Sequence, residues 1–269
     1  MILQLKAQGQ LVASLQAALG ATADGKFGPA TAAALRNWQT AHGLAADGVA
    51  GPATLAALGV APALGVDLSH WQASVDGKAL AAGGVRFAYL KATQGAGGVD
   101  RTFAKRRQEL RAAGIPVGAY AFAVPVKDSP EATAAHLVAT VGPLAPGELV
   151  PALDLEAYTK GMDAGAVRAW ALACLQHLEA AYGRPPVLYT GFSFLHVQLG
   201  GGSPELARFP LWIARYRGNN AIDPGAVGAW QKWKIWQYAC AAKIDGISGG
   251  CDADYLVGPL GDLRVAGPN

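Results

Sequence analysis

Beyond residue 64 the chain alternates strand-like apolar runs with helical ones, and the last gap in that alternation is too short to hold a helix. Strand-like runs begin near Leu64, Val85, Ile115, Leu149, Pro186, Pro210, Lys234 and Cys251. The clearest helical runs are Thr102–Ala113, Pro130–Val141 and Asp163–Tyr182. Strands joined by helical crossovers build parallel sheets, and eight of them suggest a closed barrel. Ala241 to Gly250 separates the last two strands by only ten residues. A parallel crossover needs about a dozen or more. The final pair is therefore expected to be an antiparallel hairpin. Barrel enzymes work at the carboxyl ends of their parallel strands, and a reversed last strand brings its beginning to that same rim.

The run Glu148-Leu-Val-Pro-Ala-Leu-Asp-Leu-Glu156 reads as a buried strand ending in acids. Side chains alternate along a strand, so Asp154 and Glu156 share a face with Val150 and Ala152, while Leu153 and Leu155 take the other. Two carboxylates on one rigid strand cost desolvation energy, which chains accept to bind a metal or to move protons. Asp67 lies in the first strand, Gly65-Val-Asp-Leu-Ser69. Asp252 joins the same rim if the last strand runs backwards; whether it or Asp254 faces the site is open at this level.

A ring of acids can hold Mg²⁺ or Ca²⁺. Alternatively, one acid protonates a leaving oxygen while another stabilises positive charge, as in glycoside hydrolysis. Two like charges ~6 Å apart at an effective dielectric of ~20 repel by about 2.8 kcal/mol, roughly two pKa units. An adjacent Asp can thus keep a Glu protonated. Tyr120, Tyr189, Trp212, Tyr216, Trp236 and Tyr238 fall in or near predicted strand ends. Aromatic faces pack on the C–H faces of sugar rings, so their recurrence favours a sugar substrate.

The 269 residues suffice for one large domain and a small one. The uncharged apolar stretch Ala112 to Val126 is too short to span a bilayer. Met1-Ile-Leu-Gln-Leu-Lys6 has no basic segment followed by an apolar core, so no signal peptide is expected. A net charge of +3 does not mark a nucleic-acid binder. The basic stretch Arg101 to Arg111 reads as a solvated helix face. Cys174 belongs to an apolar helical run. Cys240 and Cys251 flank the short connection and could face each other, with two free thiols as the default. Five histidines without close metal-ligand spacing argue against a zinc peptidase or amidase.

The first ~60 residues carry a repeat: Ala23-Asp-Gly-Lys-Phe-Gly-Pro-Ala-Thr-Ala-Ala-Ala-Leu35 returns 23 residues on as Ala46-Asp-Gly-Val-Ala-Gly-Pro-Ala-Thr-Leu-Ala-Ala-Leu58. In each copy Asp-Gly makes a turn and Gly-Pro starts a helix. With an earlier helix over roughly Gln10 to Leu19, this makes a three-helix unit. Leu15-Gln16, Leu19-Gly20, Trp38-Gln39 and the two Asp-Gly…Gly-Pro-Ala-Thr segments resemble the peptidoglycan-binding domain of cell-wall hydrolases. A DNA-binding helical domain fits poorly, with three basic and two acidic residues.

Residues 65–257 resemble glycoside hydrolase family 25. The matching motifs, in family order, are Gly65–Gln72, Phe87–Thr93, Gly118–Tyr120, Leu153–Glu156, Leu188–Thr190, Pro210–Tyr216, Trp236–Tyr238 and Gly246–Asp252. The expected fold is α/β: an irregular TIM-like β/α barrel of parallel strands with a terminal antiparallel hairpin, after a small three-helix domain. The expected boundaries are 1–60 for the wall-binding domain, 61–64 for a linker and 65–269 for the barrel.

The resemblance implies cleavage of the β-1,4 bond between N-acetylmuramic acid and N-acetylglucosamine, with retention. By position Glu156 matches the general acid and Asp154 the acid that orients and polarises the 2-acetamido group. Asp67 and Asp252 match two supporting acids. Tyr120, Tyr189, Trp212, Tyr216, Trp236 and Gln94 are the expected substrate contacts, and no metal or other cofactor is required. Two residues depart from the family pattern: Gln94 stands where Glu is frequent, and Ala121 where His is frequent. The pairing of domains suggests a phage endolysin, a monomer held in the host cytoplasm until a holin-type membrane protein releases it to peptidoglycan, without stable membrane insertion of its own. A glucosaminidase or chitinase-like hydrolase and a non-catalytic wall-binding protein are the competing readings.

Overall fold

The computed structural model describes residues 1–217 and 222–266. The chain divides into two compact units. One is Met1–Pro62 with the described residues of Arg217–Gly225; the other is Ala63–Tyr216 with the remainder of the C-terminal segment.

The small unit contains α1 (Gln10–Ala18), α2 (Pro29–Ala41) and α3 (Pro52–Ala57). Gly28 and Gly51 precede the last two helices and a proline opens each, where its missing N–H costs nothing. The sequence repeat folds as a structural repeat built on two buried glutamines. Gln16 Nε2 donates to Asp24 Oδ1, Lys26 O and Thr31 Oγ1, and its Oε1 accepts from Gly25 N at 2.8 Å. Gln39 repeats this with Asp47 Oδ1, Val49 O, Thr54 Oγ1 and Gly48 N. Each amide thereby ties an Asp-Gly turn to the following helix, and Leu11, Val12, Leu15, Phe27, Leu35 and Leu55 close the core around them.

The large unit is a closed barrel. Its elements in order are β1 (Ala63–Leu68), α4 (Gly77–Ala82), β2 (Val85–Gln94), β3 (Gly98–Val99), α5 (Phe103–Ala112), β4 (Val117–Phe122), α6 (Pro130–Val141), β5 (Ala152–Asp154), α7 (Ala164–Tyr182), β6 (Val187–Gly191), α8 (Phe192–Val197), α9 (Pro204–Ala207), β7 (Leu211–Ala214), β8 (Ile235–Ala242) and β9 (Cys251–Leu256). The strand order β1-β9-β8-β7-β6-β5-β4-β2 closes through a β1–β2 pairing, and β3 is a short appendage on β2. All barrel pairings are parallel except those of β9, which runs against both β8 and β1. The strand bearing the acids is shorter than the sequence run suggests: only Ala152–Asp154 is regular, and Glu156 lies just beyond its end.

Side chains of period two fill the interior. Phe87, Tyr89, Val150, Ala152, Val187, Ile235 and Leu256 form its apolar part. The same columns turn polar toward the carboxyl rim: Tyr89 leads to Lys91, Ala152 to Asp154, Ile235 to Gln237. Along the reversed β9 the order inverts, from Asp252 and Asp254 down to Leu256. Two glycines make room for the large rings. A Cβ on Gly65 would lie 2.1 Å from the Phe87 ring, and one on Gly118 would lie 2.3 Å from Tyr89.

The basic stretch on α5 is not simply a solvated face. Arg106 is buried and donates to the carbonyls of Ser69 and Gln72. Arg107 forms a bidentate pair with buried Glu148 at 2.7 and 2.8 Å. These guanidiniums satisfy backbone and carboxylate acceptors that the barrel wall leaves open. Asp100 accepts from His70 N and contacts its Nδ1 at 2.8 Å. Arg106 and Asp100 together pin the Ser69–Gln72 segment after β1. Cys174, Cys240 and Cys251 are free thiols.

Candidate active site

A cleft of about 220 Å³ opens at the carboxyl ends of the parallel strands. It is lined by Asp67 and Ser69 from β1 and its exit, Lys91 from β2, Tyr120 and Phe122 from β4, Asp154 and Glu156 from β5 and its exit, Tyr189, Trp212, Tyr216, Gln237 and Asp252, with Trp71 at the mouth. A larger groove, about 730 Å³, lies by the amino ends of β4 and β5 against Arg107, Arg111 and Glu148. It gathers no pair of acids, so chemistry and not size identifies the smaller cleft.

Hydrogen bonds make the cleft's polar wall continuous. Tyr189 Oη and Tyr216 Oη both donate to Gln237 Oε1, at 3.0 and 2.6 Å, and Gln237 Nε2 donates to Asp67 Oδ2 at 2.7 Å. Tyr189 Oη also lies 3.5 Å from Glu156 Oε2. Lys91 Nζ donates to Gln94 Oε1 and sits 4.4 Å over the Phe122 ring. Asp154 Oδ1 is buried and accepts no hydrogen bond among the described residues. A buried acceptor left open is costly, which suits a group waiting for a donor on the substrate.

Burial raises every acid here. Asp154 is pushed well above the usual carboxylate range, first by desolvation and then by the Glu156 charge, with Lys91 opposing. Glu156 is raised by desolvation, against the Tyr189 hydroxyl and Lys91. Asp67 is raised well above its ordinary value by desolvation and by Asp254 and Asp252, and Asp252 to about 6, mainly by desolvation. General acid chemistry needs a carboxyl raised in this direction. Among the described residues no three His, Cys, Asp or Glu side chains converge as a metal-binding group.

Asp67, Asp154, Glu156 and Asp252 therefore share one cleft with Tyr120, Tyr189, Trp212 and Tyr216. Two other expectations need correction. Trp236 does not line the cleft: it is 1% exposed and one residue out of phase with Gln237. Its indole donates to Arg215 O on the barrel's other face and packs near Trp233, Tyr238 and Tyr255. Gln94 is exposed at the end of β2, past a register shift, outside the cleft lining, and accepts a hydrogen bond from Lys91. Ala121 is also out of phase, between the inward Tyr120 and Phe122. Trp71, Lys91, Phe122 and Gln237 were not singled out in the sequence. The period-two rule applied from Tyr89, Tyr120 and Ile235 would have found the last three; Trp71 lies on a loop that no periodicity reaches.

Residues 66–247 match the family described as Glycosyl hydrolases family 25, and residues 4–58 match the Putative peptidoglycan binding domain. The chain belongs to glycosyl hydrolase family 25. It is 29% identical to Lysozyme M1 of Streptomyces globisporus over 76% of this chain and 71% of that protein. With the N,O-diacetylmuramidase of a Chalaropsis species it shares 30% identity over 70% of this chain and 95% of that one. The crystal structure of the bacterial lysozyme from Streptomyces coelicolor superposes with a TM-score of 0.70 at 30% identity, covering 75% of this chain and 95% of that chain. The protein is thus a muramidase-type glycoside hydrolase with peptidoglycan as its substrate and a peptidoglycan-binding domain at its N-terminus.

Proposed function

We propose that the enzyme cuts the β-1,4 bond between N-acetylmuramic acid and N-acetylglucosamine with retention, with Glu156 as general acid and the substrate's own acetamido group as nucleophile. The observation that carries this reading is the open, buried Oδ1 of Asp154 beside Glu156. An acetamido N–H donated to Asp154 favours its ionised form and leaves the pair's proton on Glu156. Glu156 then protonates the glycosidic oxygen as the C–O bond breaks, and the acetamido oxygen bonds to the anomeric carbon. Water opens the resulting oxazolinium, returning a proton to Glu156. Asp67 and Asp252 support the charge distribution, and Tyr120, Tyr189, Trp212 and Tyr216 hold the sugar.

In the cell the protein acts as a monomeric endolysin. It accumulates in the host cytoplasm and reaches the wall when a holin-type membrane protein opens the way. The pairing of a wall-binding unit with a muramidase barrel supports this role, since tethering raises the local concentration of the barrel on a polymer. Purified peptidoglycan digested with wild type and with Glu156→Gln, then reduced with borohydride, tests the chemistry. Reduced N-acetylmuramic acid from wild type alone is expected, and product anomers read early by NMR should retain the β configuration. Reduced N-acetylglucosamine would move the cut to the other bond.

A further inference from the structure

Asp254 is a fifth acid of the barrel end, 0% exposed and absent from the cleft lining. The indole Nε1–H of Trp212, itself a cleft residue, donates to its Oδ1 at 2.8 Å. Its Oδ2 is buried and has no donor among the described residues. The β1–β9 register pairs Gly65 with Asp254 and Asp67 with Asp252, so Asp254 and Asp67 are diagonal neighbours on one face of adjacent strands. The ionisable groups facing Asp254 are Asp67 from β1, Asp252 and Cys251 from β9, Tyr89 from β2 and Tyr238 from β8. None of these five can carry a positive charge. Two buried neighbouring carboxylates with no cationic side chain beside them cannot both remain ionised.

We propose that Asp254 is a permanently protonated positioning residue whose Oδ2–H donates to Asp67, fixing that carboxylate at the floor of the cleft. This rests on the function proposed above. The proton supplies the donor that Oδ2 lacks. It also completes a chain from the Trp212 indole through Asp254 to Asp67, where Gln237 donates from the other side. Asp67 is then held between two donors, as a buried carboxylate requires. Burial first, and then the Asp252 charge, raise the Asp254 carboxyl well above its ordinary range, against the opposing hydrogen bonds from the Trp212 indole and Asp67. A neutral acid serving as a hydrogen-bond donor in an apolar site has precedent in enzyme chemistry.

Two variants of the full-length protein test this. Asp254→Asn keeps an oxygen for the Trp212 indole and places an N–H toward Asp67, so it should retain kcat within about threefold. Asp254→Leu removes both functions at similar volume and should lower kcat at least tenfold with a smaller change in KM. Asp254→Asn falling as far as Asp254→Leu would mean that a charge, not a proton, is needed, and the proposal would be wrong. The second readout needs no activity. Infrared difference spectra of wild type minus Asp254→Asn at pH 7 should show a protonated carboxyl C=O band. A carboxylate band in its place overturns the proposal whatever the fate of Glu156 and Asp154, so the two readings fail separately.

Discussion

The small unit and the barrel both bury polar side chains, and they treat them in opposite ways. Gln16 and Gln39 are neutral, and each makes four hydrogen bonds within its own repeat. The carboxyl rim of the barrel instead buries Asp67, Asp154 and Asp254 together, and among the described residues Asp154 Oδ1 and Asp254 Oδ2 are left without donors. A satisfied buried amide specifies a fold at little cost; an unsatisfied buried carboxyl costs stability wherever it stands. The first arrangement belongs to a unit whose task is to hold a shape, the second to a site that holds protons and awaits a ligand. Removing a polar group should therefore lower stability in one unit and lower activity in the other.

Glu156→Gln gives the sharpest version of that contrast. Losing the general acid should reduce turnover on peptidoglycan by about 10²–10⁴-fold. Melting temperature should hold or rise, because a raised, partly buried acid becomes neutral. Turnover assays with calorimetry on the same preparation check both. A variant that melts earlier would place Glu156 among the structural groups and break the contrast.

Those two acids were legible because strand periodicity put Asp154 and Glu156 on one face, and because the short final gap reversed the last strand and brought Asp252 to the rim. The eight strands and three main crossovers were legible from apolar runs and lengths. What escaped depends on long-range fit. Trp236 and Gln237 differ only by phase, and a register shift between Gln237 and Ala239 follows them. Arg106 and Arg107 read as solvent-facing because their acceptors, Ser69, Gln72 and Glu148, lie more than thirty residues away. The Gln16 and Gln39 networks were visible only as a repeat, since neither residue's partners could be inferred without the turn geometry.

The converse test lies in the small unit. Gln39→Leu keeps volume but strands the Gly48 N–H and frees Asp47 and Thr54. A buried donor without a partner costs about 1–3 kcal/mol, so the unit should melt several degrees earlier. Turnover on short soluble glycan fragments should be unchanged, while whole-wall digestion slows at temperatures where the unit has unfolded. Equal losses on both substrates would show that the two units are not separable in this way.

Trp71 extends the contrast to the surface. It is 81% exposed yet stands on a segment pinned by buried Arg106 and Asp100. Fixing a loop in order to present one exposed ring makes sense if the ring stacks on the glycan. Trp71→Ala should raise KM by about fivefold, near 1 kcal/mol, with kcat within twofold. An unchanged KM on polymeric substrate would assign those anchors to folding alone.

The last test concerns pH and leaves turnover aside. The Asp252 carboxyl is raised from its ordinary 3.8 to about 6 by desolvation, with the Glu156 charge adding to it. A raised folded-state value means that the native protein holds this proton after the unfolded chain has released it. Stability from Asp252 is therefore complete below about 3.8 and declines as pH rises toward about 6, where the native carboxyl also ionises. Asp252→Asn is neutral throughout. Its melting temperature should match wild type near pH 4, move above it between about pH 4 and pH 6, and keep that advantage at pH 7. A constant difference across this range would mean that Asp252 titrates as an ordinary exposed acid, and the division between satisfied and strained burial would end at the lip of the cleft.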